Sequence, residues 1–127
     1  MAFEIPEGLN PQLMALAWLV GRWEGTCKGQ WPDQGEFEYA AQLDFSHNGG
    51  PYLYYVGQLF EVDDQGNVGA TTFMESGFWR PQADASLEIV MAHPAGIAEV
   101  WIGNIQGAKI EVRTDAVART DTSTIAY

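Results

Sequence analysis

The stretch LAWLVGRWEGTC, residues 16–27, decides the fold class, because a short helix gives way there to a strand. Upstream of it, Asn10 is a candidate helix N-cap and Pro11 suits the first helical position. Apolar residues then recur at i, i+3, i+4 and i+7, namely Leu13, Leu16, Ala17 and Val20. The spacing predicts an amphipathic helix that ends at Gly21.

The segment GRWEG, residues 21–25, has the Gly-x-Trp-x-Gly pattern of a strand that follows directly on a helix. We predict that Trp23 packs against Leu16 and Leu19 and that the helix closes one end of a β-barrel. Gly21 and Gly25 are interpreted as backbone requirements of the helix stop and of a strongly coiled first strand.

Composition and charge limit the classes of function. The chain has 127 residues, enough for one domain over residues 1–127, and a formal net charge of −11. Such an acidic chain is not expected to bind nucleic acid or an anionic membrane surface. Its single cysteine excludes an internal disulfide, and the longest apolar run, 13–20, is too short to span a bilayer. We therefore expect a cytoplasmic protein whose partner is a small molecule. Formation of a homodimer is left open.

Beyond the helix, the sequence predicts strands and short turns. Residues 36–47 alternate strictly between apolar and polar side chains, with His47 on the apolar face, as in a half-buried antiparallel strand. Turn-forming residues separate further predicted strands at 52–62, 68–80, 86–93, 97–105, 108–115 and 119–127. We predict an all-β, up-and-down antiparallel β-barrel, and we expect C-terminal strands beyond Tyr127, because the sequence stops within a predicted strand.

Several segments, in order and at matching spacing, resemble the nitrobindin family of haem-binding barrels, which are related in shape to fatty-acid-binding proteins and lipocalins. They are GRWEG (21–25), WP (31–32), FEY (37–39), FSH (45–47) with GP (50–51), ESGFWRP (75–81) and MAHPAGIAEV (91–100). The resemblance implies about ten strands around a cavity for one haem b. It also implies that ferric haem binds nitric oxide and isomerises peroxynitrite to nitrate, provided that a proximal histidine binds the iron.

The sequence differs from this family at positions that the resemblance places near the haem. The family's proximal histidine has no counterpart in residues 1–127. Cys27 and Asp33 replace a glycine and a threonine, Phe73 replaces a histidine above the haem, and no lysine occurs near Thr124. The catalytic residues therefore remain unassigned, and enzymatic activity is expected only if haem and a proximal histidine are present.

Strand parity gives a set of candidate ligand-binding residues: Phe37, Phe45, Phe73, Met91 and His93. The aromatic residues could line a cavity or simply form core, with the two readings evenly balanced. His93 is the candidate for a replacement iron ligand, and the alternatives are that it binds a polar ligand group or loop carbonyls. Glu75 and Glu99 could act as acid and base, but they lie on separate predicted strands and are not expected to be neighbours.

The alternative function is a haem-free barrel that carries or senses a small apolar ligand, as fatty-acid-binding proteins do. It requires an apolar cavity and one or two polar groups, such as His93 or Arg80, to orient the ligand. Arg80 is more simply explained as the partner of a surface carboxylate.

Overall fold

A single antiparallel sheet with one helix across its inner face forms the fold, in a computed structural model that describes residues 5–31 and 35–123. The helix is Pro11–Leu19, and each strand pairs with the next in chain order. The strands are β1 (Gly21–Trp31), β2 (Gly35–Ser46), β3 (Leu53–Val62), β4 (Val68–Pro81), β5 (Ser86–His93), β6 (Ile97–Gln106) and β7 (Lys109–Arg119). This up-and-down meander confirms the predicted all-β class, and its seven strands form a half-barrel.

The N-terminal helix is a 3-10 helix, not the α-helix that the i, i+3, i+4, i+7 spacing suggests. With three residues per turn, Leu13, Leu16 and Leu19 lie on one face, and all three are buried. Asn10 caps the helix as predicted, because its side chain accepts a hydrogen bond of 2.9 Å from the Gln12 backbone N–H. Val20, predicted to belong to the apolar stripe, is the C-cap residue.

The core lies between this helix and one face of the sheet, which we call the inner face. It is formed by Leu13, Leu16, Leu19, Phe45, Leu53, Tyr55, Leu87, Ile89 and Ile105. Two polar contacts hold the helix in place, since Gln12 Nε2 donates to the Pro81 carbonyl at 2.9 Å and Asn10 Nδ2 to the Gly49 carbonyl at 3.2 Å. The helix therefore covers one end of the inner face. The rest of that face is not covered by the helix.

Trp23 contacts the helix as expected, although less of its ring is buried than the prediction implies. Its indole Nε1 donates to the Leu19 carbonyl at 2.8 Å, and its ring meets Trp18 edge to face at 6.2 Å. Trp23 remains 44% exposed. Gly21 has a φ of +130°, a conformation that L-residues rarely adopt, whereas Gly25 has no such restriction. The predicted backbone requirement is therefore confirmed at Gly21 and not at Gly25.

The strand boundaries agree with the sequence prediction except at two ends. β2 ends at Ser46, so His47 lies in the following turn, where its Nδ1 accepts a hydrogen bond of 3.2 Å from the Gly49 backbone. β7 runs on to Arg119 and residues 120–123 leave the sheet, so the predicted strand at 119–127 is wrong over this part. Residues 124–127, including Thr124, lie outside the described residues, as does Asp33. Among the described residues, no helix has the length and apolar character needed to cross a membrane.

Close approach of neighbouring strands makes Gly77 a requirement of the sheet. A Cβ atom built at Gly77 would lie 1.8 Å from the Val90 carbonyl oxygen, which is backbone and cannot move aside alone. A Cβ atom at Gly25, on β1, would meet nothing within 4 Å.

We therefore expect Gly77→Ala to lower the free energy of unfolding by about 1–3 kcal/mol or more, as overpacked sites do. Gly25→Ala serves as the matched control and should leave stability nearly unchanged. Urea denaturation followed by circular dichroism measures both variants. Equal stability of the two variants would show that the strands do not approach as closely as described.

Candidate functional site

Alternation along the strands brings four polar side chains together on the inner face. Tyr55, Glu75, His93 and Glu99 lie on β3, β4, β5 and β6, which are neighbours in the sheet. Tyr55 and Gly77 pair across β3 and β4, Gly77 pairs with Met91, and Met91 pairs with Glu99. We call these four side chains the His93 cluster.

His93 lies between two carboxylates. Its Nε2 is hydrogen-bonded to Glu99 Oε1, and its Nδ1 lies 3.8 Å from Glu75 Oε2. The His93, Glu99 and Glu75 side chains are 10%, 12% and 20% exposed, respectively. The prediction that Glu75 and Glu99 are not neighbours is therefore wrong, because both carboxylates contact the same imidazole.

Tyr55 extends the cluster into the core. Its hydroxyl donates to Glu75 Oε1 at 2.8 Å, and its ring packs 5.0 Å from Phe45. A Cβ atom at Gly57 would lie 2.2 Å from this hydroxyl, so the glycine leaves the space that the phenol needs. Burial, and then the adjacent Glu75 carboxylate, raise the pKa of the Tyr55 phenol well above its usual range.

Phe73 borders the cluster on its open side. Its ring centroid lies 5.4 Å from that of the His93 imidazole, and Phe73 is 43% exposed. Met91, half-buried, lies on the same face and packs against the core. The structure thus brings together three of the five predicted ligand-binding residues, namely Phe73, Met91 and His93.

Phe37 and Phe45 lie apart from this group. Phe45 is 4% exposed and packs edge to face against Trp79 at 5.1 Å, so it belongs to the core and offers no surface to a ligand. Phe37 lies towards the other end of β2, stacked on Tyr39 at 4.8 Å. Of the two readings left open for the aromatic residues, core is the correct one for Phe45.

Beside the cluster, the inner face of the half-barrel is open, and the described residues do not enclose a cavity there. Next to Phe73, the inner face carries Leu59, Ala41 and Gly25 in register across β3, β2 and β1. Open grooves of about 400, 520 and 640 Å³ lie elsewhere, two of them beside Phe37 and one across β5, β6 and β7. Among the described residues, no group of three or more side chains could hold a metal ion.

Arg80 has the surface role expected of it, with Nη1 2.9 Å from Glu88 Oε1. Both side chains are about half-exposed, so the pair contributes little to stability. Arg80 pairs in register with Glu88 and lies on the face of β4 opposite to the His93 cluster.

Comparison with known proteins identifies the family of this chain. Residues 12–126 match the family described as "THAP4-like, heme-binding beta-barrel domain". The chain belongs to this family. The nitrobindin resemblance seen in the sequence is thereby confirmed.

Two curated relatives and one solved structure show how far the likeness extends. A ferric nitrobindin-like protein of Cutibacterium acnes is 52% identical over 128 residues, covering 100% of this chain and 77% of that protein. A peroxynitrite isomerase of Nocardioides sp. is 38% identical over 123 residues, covering 97% and 75%. The crystal structure of Rv2717c from M. tuberculosis superposes with a TM-score of 0.78 at 33% identity, over 91% of this chain and 73% of that one.

The raised pKa of Tyr55 predicts an alkaline loss of stability. A phenol with a pKa raised by folding contributes stability that is complete below the pKa of the unfolded chain, about 10, and is lost as the pH rises further. We expect the free energy of unfolding to fall more steeply above about pH 10 in the native sequence than in Tyr55→Phe. Urea denaturation between about pH 8 and pH 11 measures the slope.

Tyr54→Phe is the control, because Tyr54 lies on the opposite face of β3 and is 42% exposed. It should retain the alkaline slope of the native sequence. An alkaline slope in Tyr55→Phe as steep as in the native sequence would contradict the burial and hydrogen bonding described for this phenol.

Proposed function

We propose that the inner face beside the His93 cluster is the ligand-binding surface of a nitrobindin-type, haem-b-binding barrel. The observation that carries this proposal is the half-exposed Phe73 next to the largely buried side chain of His93, on the inner face of a chain that belongs to a heme-binding family. Exposed apolar surface beside a few convergent polar groups is the usual composition of a small-molecule site.

The residues present fit the body of a porphyrin. A flat apolar ring system needs apolar side chains and a floor without projecting groups, and Phe73 and Met91 supply the former. Gly25 and Ala41 have little or no side chain to project from the inner face. A Cβ atom at Gly25 would meet nothing within 4 Å, so the space above it is open. Phe73 and Met91 would thus contact the ring system, and the His93 cluster would supply the polar groups beside it.

His93 does not fit the role of iron ligand in this arrangement. The hydrogen bond of Nε2 to Glu99 leaves Nδ1 as the nitrogen that could bind iron, but the Glu75 carboxylate lies 3.8 Å from Nδ1, on the side of the ring where iron would have to approach. The other histidine of the sequence, His47, lies in the turn after β2. We propose that His93 positions ligand through the cluster, and that the iron ligand is not provided by His93.

When bound, ferric haem would bind nitric oxide. With a proximal histidine it would also isomerise peroxynitrite to nitrate. Of the two relatives, one bears the name ferric nitrobindin-like protein and the other the name peroxynitrite isomerase. The protein's own contribution is to exclude water from one side of the ring through Phe73 and Met91 and to hold His93 fixed between two carboxylates. We propose in addition that the chain acts as a single cytoplasmic domain, and that its net charge of −11 keeps it from nucleic acid.

A pair of phenylalanines on β4 tests this proposal. Phe73 and Phe78 are both 43% exposed, but Phe78 packs against Tyr54 on the opposite face of the sheet. We expect the native chain to bind hemin with one-to-one saturation of a Soret band. Phe73→Glu should weaken binding at least about tenfold, because the carboxylate would be desolvated against the ring.

Phe78→Glu should bind hemin as the native chain does, and circular dichroism confirms that both variants fold. Equal weakening by the two substitutions, or a weak band that never saturates with the native chain, would refute the proposal. In the second case the haem-free carrier of a small apolar ligand would become the better account.

A further inference from the structure

The His93 cluster contains more acidic than basic side chains, and these side chains have little contact with water. Two carboxylates contact one imidazole, so the three side chains sum to −1 with His93 protonated and to −2 with it neutral. Among the ion pairs of the described residues, neither Glu75 nor Glu99 has a lysine or arginine partner. The cluster's negative charge is therefore uncompensated by the part of the chain that the structure describes.

Packing fixes this charge in place. The Tyr55 hydroxyl anchors Glu75 through Oε1, while the imidazole lies against Oε2 and Glu99. Negative charge that is partly removed from water without an opposite charge costs free energy, and a positively charged group bound beside it would offset that cost. The side of the cluster that borders Phe73 is the side on which the proposed ligand lies.

We infer that Glu75 and Glu99 select a ligand with a positively charged centre, so that this face prefers ferric porphyrin to an uncharged porphyrin of the same shape. The inference rests on the proposed function. The centre of ferric haem carries one net positive charge, because Fe³⁺ is opposed by two pyrrole charges. The centre of zinc protoporphyrin IX is neutral, so the two probes differ mainly in the charge that the carboxylates meet.

The size of the effect follows from Coulomb's law. Two opposite unit charges about 8 Å apart, at an effective dielectric constant of about 20, attract each other strongly enough to change an affinity by tenfold or more. Each neutralised carboxylate should therefore reduce the preference for hemin over zinc protoporphyrin IX about tenfold. Since the same charge favours Fe³⁺ over Fe²⁺, the midpoint potential of the bound hemin should rise by about 59 mV for each tenfold change.

The experiment measures the dissociation constants of hemin and zinc protoporphyrin IX by titration of the full chain. The variants are Glu75→Gln, Glu99→Gln and the double substitution. The matched control is Glu38→Gln, which removes the same charge from an exposed position on the opposite face of β2. Glu75→Asp and Glu99→Asp keep the charge while shortening the side chain, and thereby separate charge from shape.

We expect the ratio of the two dissociation constants to change in both Gln variants, further in the double variant, and not in Glu38→Gln or the Asp variants. If both porphyrins bind the native chain and the Gln variants leave the ratio unchanged, the inference is overturned and the proposed function stands. An equal change in the Asp and Gln variants also overturns it, because shape and not charge would then be the cause. If neither porphyrin binds the native chain one to one, the proposed function fails with it.

Discussion

Packing of the N-terminal helix against one face of the sheet determines which side of every strand is buried. Leu13 and Leu16 of the helix and Leu53 and Leu87 of the sheet are each 0% exposed, so one face is fixed as the inside. Because side chains alternate along a strand, this choice assigns every second residue of β2 to β6 to the same side. The position of each functional residue follows from that assignment.

The same face changes in character along the strands. At the helix-covered end it is a dense apolar core, with Phe45, Tyr55 and Trp79 in mutual contact. Four residues from Trp79 along β4, at Glu75, it becomes polar, and there it holds His93 between two carboxylates. The Tyr55 side chain joins the two regions, since its ring belongs to the core and its hydroxyl to the cluster. Through Tyr55 the core therefore fixes the position of the polar cluster on the inner face.

The sequence was sufficient to predict the strands and their inward residues, because an alternating pattern determines both the strand and the face. The inward position of His93 follows from its parity with Leu87 and Ile89 in this way. Leu19 was missed in the helix stripe, because the spacing of Leu13 and Leu16 fits an α-helix and a 3-10 helix equally well.

The His93 cluster itself was beyond prediction from single strands. Glu75 and Glu99 are 24 positions apart and meet only because β4, β5 and β6 pair in a particular register. The space above Gly57 that admits the Tyr55 hydroxyl likewise depends on side-chain packing, which strand patterns do not encode. The assignment of Phe45 to core and Phe73 to the open side required the helix position, because both residues have the same parity and chemistry.

Methionine methyl groups report on whether the proposed ligand lies on the inner face. Met91 lies on that face, whereas Met74 is on the opposite face of β4 and Met14 is exposed on the helix. With ¹³C-methyl-labelled methionine, bound ferric hemin should broaden the Met91 resonance strongly, because paramagnetic relaxation falls steeply with distance. The resonances of Met74 and Met14 should stay sharp. Broadening of Met74 or Met14 with a sharp Met91 resonance would place the ligand elsewhere and contradict the account.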